Sequence, residues 1–346
     1  MRKLLNVLYV TSPEAYLTKD GENVVIRIQE ETKFRIPIHN LEGIICFGYI
    51  GASPALMGLC AQRNVALSFL TEHGQFLARI TGAVSGNVLL RRRQYRMADD
   101  PEECAKLANA FIIGKVANCR RVLQRTLRDH NDKFENGSET ILETVISQLK
   151  TRLEKIATCH ATDTLRGFEG EAATVYFSVF DHLILTQKEA FFFHQRSRRP
   201  PLDNMNALLS FLYTILMHDV RAALESVGLD PAVGFLHRDR PGRPGLALDL
   251  MEELRPFLAD RLALSLINRK QINERGFVQK ENGAVIMDDE TRKVVLAAWQ
   301  KRKQEEIRHP FLDEKMEVGL IPYAQAMLLA RYIRGDLDGY PMFIWK

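Results

Sequence analysis

One stretch of the sequence combines a histidine with carboxylates at a spacing that suits metal-assisted phosphate chemistry. His237 ends an apolar segment, and after a loop of arginine, glycine and proline a predicted helix carries Asp249, Glu252 and Glu253. Residues at i, i+3 and i+4 of a helix share one face, so the three carboxylates are predicted to project together. This arrangement favours a divalent cation beside phosphate. Two alternatives stay open: the carboxylates only complement the helix dipole, or His237 is a hydrogen-bonded core residue.

A second carboxylate lies in a predicted helix further upstream. The apolar spacing places Glu169 on an apolar face, where an unpaired carboxylate is costly and a metal or a cationic partner is expected. Gly167 and Gly170 flank it, although glycine inside a helix costs about 1 kcal/mol relative to alanine. Close approach of another backbone or of a ligand would explain both glycines. A salt-bridged, partly buried glutamate is the alternative interpretation.

Basic side chains are clustered rather than spread along the chain. Arg238, Arg240 and Arg243 adjoin the proposed metal site, and we therefore predict that they contact nucleic-acid phosphates. Further basic clusters lie at 91–96, 196–199 and 301–303; the last is followed by two glutamates and is predicted to be a solvated helix face.

Composition is that of a globular protein of 346 residues, with 46% hydrophobic residues, 26% charged residues and a net charge of +4. The 5 cysteines include no C-x-x-C pair, which argues against a zinc or iron–sulfur site and predicts a reducing, cytoplasmic environment. Residues 43–61 are uncharged, but their glycines and Pro54 argue against a membrane-spanning helix.

The pattern of the chain predicts an α+β protein. Residues 1–90 read as an N-terminal β-sandwich-like domain that mediates dimerisation, with an Asp20-Gly21 hairpin turn and one short helix at 54–63. Residues 91–100 read as a linker, and residues 101–346 as a larger, mostly α-helical catalytic domain that holds the metal site. Asp100 and Pro101 supply a helix N-cap and first turn.

Periodicity predicts seven helices in the second domain, and proline should kink one of them. Pro256 lacks an N–H, so the helix that contains it should bend there. Asn282-Gly283 predicts a hairpin, and 336–346 reads as a tail. The predicted helices span 101–130, 138–157, 161–185, 203–227, 246–274, 289–308 and 321–335.

Several motifs, taken in order, resemble one known family. The sequence is similar to the CRISPR-associated protein 1 family, the endonucleases that act as spacer integrases, and most resembles its subtype I-C members. The resemblance covers nearly the whole chain. The segments that carry it are 82–95, 165–170, 206–213, 228–237 and 246–256.

The resemblance implies a site as well as a fold. The metal ligands of the family fall on Glu169, His237 and Glu252, the last of which is aspartate in many relatives. Asp249 matches a further acidic position, which we interpret as a supporting or transient ligand. Two carboxylates and one imidazole suit Mg²⁺ or Mn²⁺.

The resemblance also implies the reaction and the partners. It implies integration of spacer DNA by attack of a 3′-hydroxyl on a phosphodiester, with double-stranded and branched DNA as substrates. It further implies a homodimer, CRISPR-associated protein 2 as a bridging partner, and the CRISPR-associated protein 4 nuclease as an additional partner. The residues alone leave two rivals open: a non-catalytic DNA-binding scaffold, and a metal-dependent hydrolase of RNA or small molecules.

Overall fold

The computed structural model describes residues 6–29, 31–72, 76–80, 82, 88–130 and 137–345. The chain divides into two compact units. The first comprises Met1–Ser85, Met287–Glu305 and Glu317–Leu320. The second comprises Gly86–Ile286, Glu306–Met316 and Ile321–Lys346. The first unit is rich in strands and the second is mostly helical, so the predicted α+β class is confirmed.

Two four-stranded sheets form the first unit, in the orders β1-β5-β7-β8 and β4-β3-β2-β6. Leu17, Ile44 and the α1 residue Leu56 are fully buried in one core that both sheets share, as the sandwich prediction required. The Asp20-Gly21 hairpin is also confirmed, because β2 and β3 pair in antiparallel register up to Asp20 and Asn23. The elements are β1 Asn6–Val10, β2 Ala15–Asp20, β3 Asn23–Ile28, β4 Glu31–Pro37, β5 Leu41–Phe47, β6 Gly51–Ala52, α1 Pro54–Gln62, β7 Ala66–Leu70 and β8 Phe76–Ile80.

The predicted boundary of the first domain at residue 90 stays a prediction. The first unit also includes a helix far along the chain, α9 (Asp289–Lys303), which the sequence placed in the second domain. Trp299 of α9 is buried, and the side chain of Gln300 donates a hydrogen bond to the carbonyl of Val7 in β1 (3.3 Å). Contacts between residues so distant in sequence leave no local signal.

Helix α2 (Val88–Ala98) occupies most of the segment 91–100 that was predicted to be a linker. Gln94 anchors this helix within the second unit: its side-chain amide donates to the carbonyls of Asp230 (2.8 Å) and Val233 (2.9 Å) and accepts from the Asp230 N–H (2.9 Å). The arginine-rich sequence hid a helix that buries only Leu90 and Gln94 among its described residues.

The helices of the second unit begin where the sequence predicted but often end earlier. The predicted 161–185 helix stops at Ser178, and a 3₁₀ turn, Phe180–Leu183, follows. Helix α6 (Asn204–Ser226) contains an 18-residue window that is apolar enough to cross a membrane. However, 61% of that window is buried in the fold, as expected of a core helix. The helices are α3 Pro101–Asp129, α4 Ser138–Ala157, α5 Thr162–Ser178, α6 Asn204–Ser226, α7 Gly245–Glu252, α8 Arg261–Asn268 and α10 Ile321–Arg334.

Pro256 interrupts the predicted 246–274 helix, as expected from its missing N–H. Helix α7 ends at Glu252, a π-helical turn spans Pro256–Asp260, and α8 ends at Asn268 rather than at 274.

Two pairs of short strands lie beyond α8. The hairpin predicted at Asn282-Gly283 is present, with β9 (Phe277–Gln279) paired to β10 (Val285–Met287) and Gly283 at φ +79°. The predicted 289–308 helix ends at Lys303, and β11 (Glu306–Arg308) pairs with β12 (Lys315–Glu317) beyond it.

The C-terminal segment is not a loose tail. Phe343 is fully buried, its N–H donates to Glu253 Oε2 (2.8 Å), and the Trp345 N–H donates to Asn118 Oδ1 (2.9 Å). The glycines and the proline that suggested a tail instead allow an irregular segment to pack behind α7.

Candidate metal centre

Three helices of the second unit bring two glutamates to one buried cation. Lys115 of α3 contacts Glu169 Oε1 of α5, and its Nζ lies 2.7 Å from Glu252 Oε2 of α7. Arg255 Nη1 lies 2.8 Å from the other oxygen, Glu252 Oε1. The cationic partner that the sequence predicted for Glu169 is therefore Lys115.

Close helix packing sets up this arrangement. A Cβ on Gly114 would lie 2.8 Å from the Cβ of Glu253, so only glycine allows α3 to approach α7 this closely just before Lys115. On α5, Leu165 and Tyr176 are buried while the side chain of Glu169 is 28% exposed. Glu169 thus lies at the edge of the apolar face, with one side open.

That openness corrects one prediction. Among the described residues, no atom outside the helix lies within 4 Å of a Cβ placed on Gly167 or Gly170. No backbone of the described chain therefore approaches these glycines, which lie about 160° and 100° around α5 from Glu169, on the exposed face of the helix.

Asp249 holds the loop that carries His237. Its Oδ2 accepts the N–H groups of Phe235 (2.6 Å) and Leu236 (2.9 Å). Its Oδ1 accepts the His237 N–H at 2.9 Å and lies 2.6 Å from His237 Nδ1. This contact fixes the ring and leaves Nε2 as the nitrogen able to bind a metal, a pairing typical of metal-binding histidines. The loop needs glycine at 234, because a Cβ there would lie 2.8 Å from Asp249 Oδ2.

Glu253 does not belong to this cluster, contrary to the prediction that three carboxylates share a face. Its carboxylate accepts hydrogen bonds from Tyr340 Oη (2.5 Å), Gln325 Nε2 (2.9 Å) and the Phe343 N–H (2.8 Å). Burial raises the pKa of Glu253 to about 7. The reason is that Glu253 is rotated by about 100° from Glu252 around the helix axis, so its carboxylate faces the C-terminal segment instead.

The buried charges of the cluster stabilise one another. Burial by itself would raise the pKa of Glu252, but Arg255 and then Lys115 and His237 lower it to about 2. Burial likewise opposes the charge on Lys115, yet the two glutamates raise its pKa above the ordinary value. The cluster therefore keeps the Glu252 carboxylate ionised at neutral pH.

The donor set fits a divalent cation, although no closed site is present. Within residues 6–345, as far as they are described, no three His, Cys, Asp or Glu side chains converge closely enough to form a ready cation site. Glu252 Oε2 is nonetheless buried and accepts no hydrogen bond of good geometry, despite the nearby Lys115 ammonium. Two carboxylates and a free imidazole nitrogen offer the hard oxygen and borderline nitrogen ligands that suit Mg²⁺ or Mn²⁺.

Comparison with known proteins assigns the chain to a family. The family model described as CRISPR associated protein Cas1 matches residues 8–301. The chain belongs to the Cas1 family. It is 56% identical over 348 residues to a CRISPR-associated endonuclease Cas1 of Chlorobaculum tepidum, and the match covers 100% of both chains. A Cas4 exonuclease/Cas1 endonuclease fusion of Geobacter sulfurreducens is 35% identical, matching 98% of this chain and 60% of the fusion.

Solved structures show the same fold. A casposase bound to its integration product superimposes with a TM-score of 0.85 at 22% identity, covering 99% of this Cas1 chain and 95% of the casposase chain. A Cas6-RT-Cas1–Cas2 complex matches with a TM-score of 0.82 at 23% identity, covering 100% of this chain and 36% of that chain.

The three arginines predicted to bind DNA have different surroundings in this Cas1 chain. Arg238 is 68% exposed, and its guanidinium lies 2.7 Å from Asp163. Burial and then the charge of Arg240 lower the pKa of Arg243, and Arg166 acts in the same direction. Arg240 and Arg243 thus lie in a positively charged cluster, whereas Arg238 is partly neutralised. Beside His237 lies a cavity of about 580 Å³, which Arg166 and Arg238 help to line.

The other basic clusters serve internal contacts at several positions. Arg196 donates to Asn206 Oδ1 (2.7 Å), and Arg93 donates to the carbonyl of Arg334 (2.8 Å). Lys303 is buried, so the 301–303 run is not wholly the solvated face that was predicted.

Sequence reasoning missed Lys115, although the signal was available. Phe111, Val116 and Cys119 are all buried on α3, so Lys115 lies on an apolar face like Glu169. A buried charge requires a partner of opposite sign, so the pattern that predicted a partner for the glutamate also predicts one for the lysine.

Asp249→Asn should weaken Mn²⁺ binding about 10- to 100-fold, because the amide no longer offers the His237 ring a charged acceptor. The measurement is titration calorimetry with Mn²⁺. Asp239→Asn, an exposed change in the same loop, is the control and should keep the wild-type affinity. An unchanged affinity in Asp249→Asn would show that the ring needs no such support.

Replacing Arg240 and Arg243 together by alanine should reduce the slope of log affinity for duplex DNA against log salt by about 0.9 for each phosphate that is no longer neutralised. Lys150→Ala with Lys155→Ala, two exposed charges on α4, is the charge-matched control. Fluorescence anisotropy over a salt series gives the slopes. If the arginine variant keeps the wild-type slope while the slope of the lysine variant falls, DNA contacts the surface of α4 instead of the arginines.

Proposed function

We propose that this Cas1 family member is a divalent-metal-dependent DNA endonuclease and integrase, which inserts new spacer DNA into a CRISPR array. The observation that carries the proposal is the meeting of Glu169 and Glu252 at one buried position, with His237 close enough to lower the pKa of Glu252. Relatives that match the full chain are named CRISPR-associated endonucleases, which supports phosphodiester chemistry.

Each residue has a distinct role in this proposal. Glu169, His237 and Glu252 would hold one Mg²⁺ or Mn²⁺, and the imidazole tilts the preference toward Mn²⁺. When bound, the cation would stabilise charge on a nonbridging phosphate oxygen and activate the attacking oxygen. Asp249 fixes the His237 ring through Nδ1 and thereby keeps Nε2 available.

The same site can serve two reactions that differ in the attacking group. In integration the 3′-hydroxyl of the incoming DNA attacks a phosphodiester; in cleavage water does. Arg240 and Arg243 would hold backbone phosphates next to the site, which positions DNA without reading its sequence. The side chain of Glu169 is 28% exposed, so one side of its carboxylate is open to an incoming strand.

A panel of substrates tests the proposal against its rivals. Branched DNA, linear duplex DNA and RNA of matched sequence would each be incubated with increasing Mn²⁺ or Mg²⁺, and both cleavage and strand-transfer products would be measured. We expect metal-dependent products from DNA, most abundantly from branched DNA. Binding without products at any metal concentration would favour a scaffold, and products from RNA alone would favour a ribonuclease.

We further propose a homodimer that works with Cas2 and with a Cas4 nuclease. The support is a solved complex named for Cas1 and Cas2, and relatives in which Cas4 and Cas1 are fused. Exposed aromatic side chains on the first unit, Tyr49, Phe34 and Tyr16, offer apolar surface for a second copy. Light scattering should give about twice the 39.5 kDa chain mass, and a monomer that still integrates DNA would contradict the dimer.

A further inference from the structure

Lys115 is placed where a bound metal would have to be. Its ammonium contacts Glu169 Oε1 and lies 2.7 Å from Glu252 Oε2. Both residues are proposed ligands, and they come from separate helices. Lys115 itself is 8% exposed, so bulk water cannot replace these two carboxylates as partners of its charge.

The charge balance shows what the ammonium does. Glu252 Oε1 already has a cation, Arg255, at 2.8 Å. The ammonium of Lys115 contacts both Glu252 Oε2 and Glu169. Two carboxylates this close repel each other strongly when no positive charge lies between them. Removing the ammonium would leave that repulsion uncompensated in a buried place.

A divalent cation and the ammonium cannot occupy the same position. A metal bound by both glutamates would require oxygens at about 2.0–2.2 Å, and an ammonium in contact with the same oxygens would then lie within a few ångströms of it. At such a separation two positive charges repel strongly in a protein interior.

We infer that Lys115 is a built-in counter-cation, which holds Glu169 and Glu252 together in the metal-free protein and is displaced from between them when the divalent cation binds. This inference rests on the proposed metal site and deepens it. It makes Lys115 a positioning residue, which acts through the two glutamates and which competes with the metal for them.

Substitution of Lys115 by methionine, which keeps an unbranched side chain one atom shorter and removes the charge, tests both the stabilising role of the ammonium and its competition with the metal. The metal-free variant should melt roughly 10 °C below the wild type, because the buried carboxylate of Glu252 and the partly exposed carboxylate of Glu169 lose the cation between them. Saturating Mn²⁺ should restore most of that loss, and the Mn²⁺ affinity measured by electron paramagnetic resonance should rise about tenfold, since no ammonium competes.

Lys106→Met is the matched control on the same helix. Lys106 pairs with Glu102 and Glu103 on the surface, so its loss should change neither the melting temperature by more than about 2 °C nor the Mn²⁺ affinity. An unchanged or weakened Mn²⁺ affinity in folded Lys115→Met would overturn the competition.

A wild-type measurement keeps the inference falsifiable if Lys115→Met does not fold. Crystal structures solved without metal and with Mn²⁺ should show Lys115 Nζ between the two glutamates in the first and moved out in the second. Mn²⁺ bound by both glutamates with the ammonium still between them would overturn the displacement and leave the proposed function intact. Absence of Mn²⁺ from the centre would instead overturn the proposed function, and the displacement with it.

Discussion

Glu169→Gln is expected to lower metal-dependent DNA cleavage and strand transfer at least about 100-fold. Glutamine keeps the shape of the side chain but removes the charge that faces Lys115 and that would bind the cation. A neutral amide is a poor ligand for Mg²⁺ or Mn²⁺, so transition-state charge on the phosphate loses most of its stabilisation. Single-turnover rates at saturating metal on branched DNA give the comparison.

Glu171→Gln provides the matched control. Glu171 lies two residues further along α5 and is exposed, so this variant should keep the wild-type rates. Thermal unfolding of both variants separates loss of chemistry from loss of fold; because Lys115 keeps Glu252 as its second partner, Glu169→Gln should remain folded under the assay conditions. Wild-type strand transfer by Glu169→Gln would place the chemistry elsewhere and would support the scaffold interpretation.

Phe343→Ala is expected to cost about 3–5 kcal/mol of unfolding free energy, the range found when a buried phenylalanine is truncated. Phe343 is fully buried, and its ring packs 5.3 Å from that of Phe257 in the π-helical turn. A loose C-terminal tail would predict almost no effect. Urea unfolding followed by circular dichroism measures the difference.

Phe311→Ala is the control for that experiment. Its side chain is 51% exposed in the same unit, so truncation should change the unfolding free energy by no more than about 0.5 kcal/mol. Equal effects of the two substitutions would contradict the packing of the C-terminal segment behind α7.

Local patterns predicted much of the fold correctly. The Asp20-Gly21 and Asn282-Gly283 turns and the break at Pro256 each follow from the backbone preferences of one or two residues. For the same reason the N-cap at Asp100 is where it was expected, with its side chain accepting the Glu102 N–H (2.9 Å). Such features need no knowledge of the rest of the chain.

Features that depend on distant residues were the ones that sequence patterns missed. The placement of α9 in the first unit and the packing of Phe343 against Glu253 both join segments far apart in the chain. The same holds for Lys115, which is 54 residues from the glutamate it contacts. Burial of a charge indicates that a partner exists, but only tertiary structure shows which residue it is.

Crystals soaked in Mn²⁺ and measured at the manganese absorption edge test the proposed metal centre most directly. We expect one anomalous peak within coordination distance of Glu169, His237 and Glu252, at about 2.0–2.3 Å from the ligand atoms. A peak elsewhere, or no peak at a well-ordered centre, would contradict the assignment of these three residues as the metal ligands.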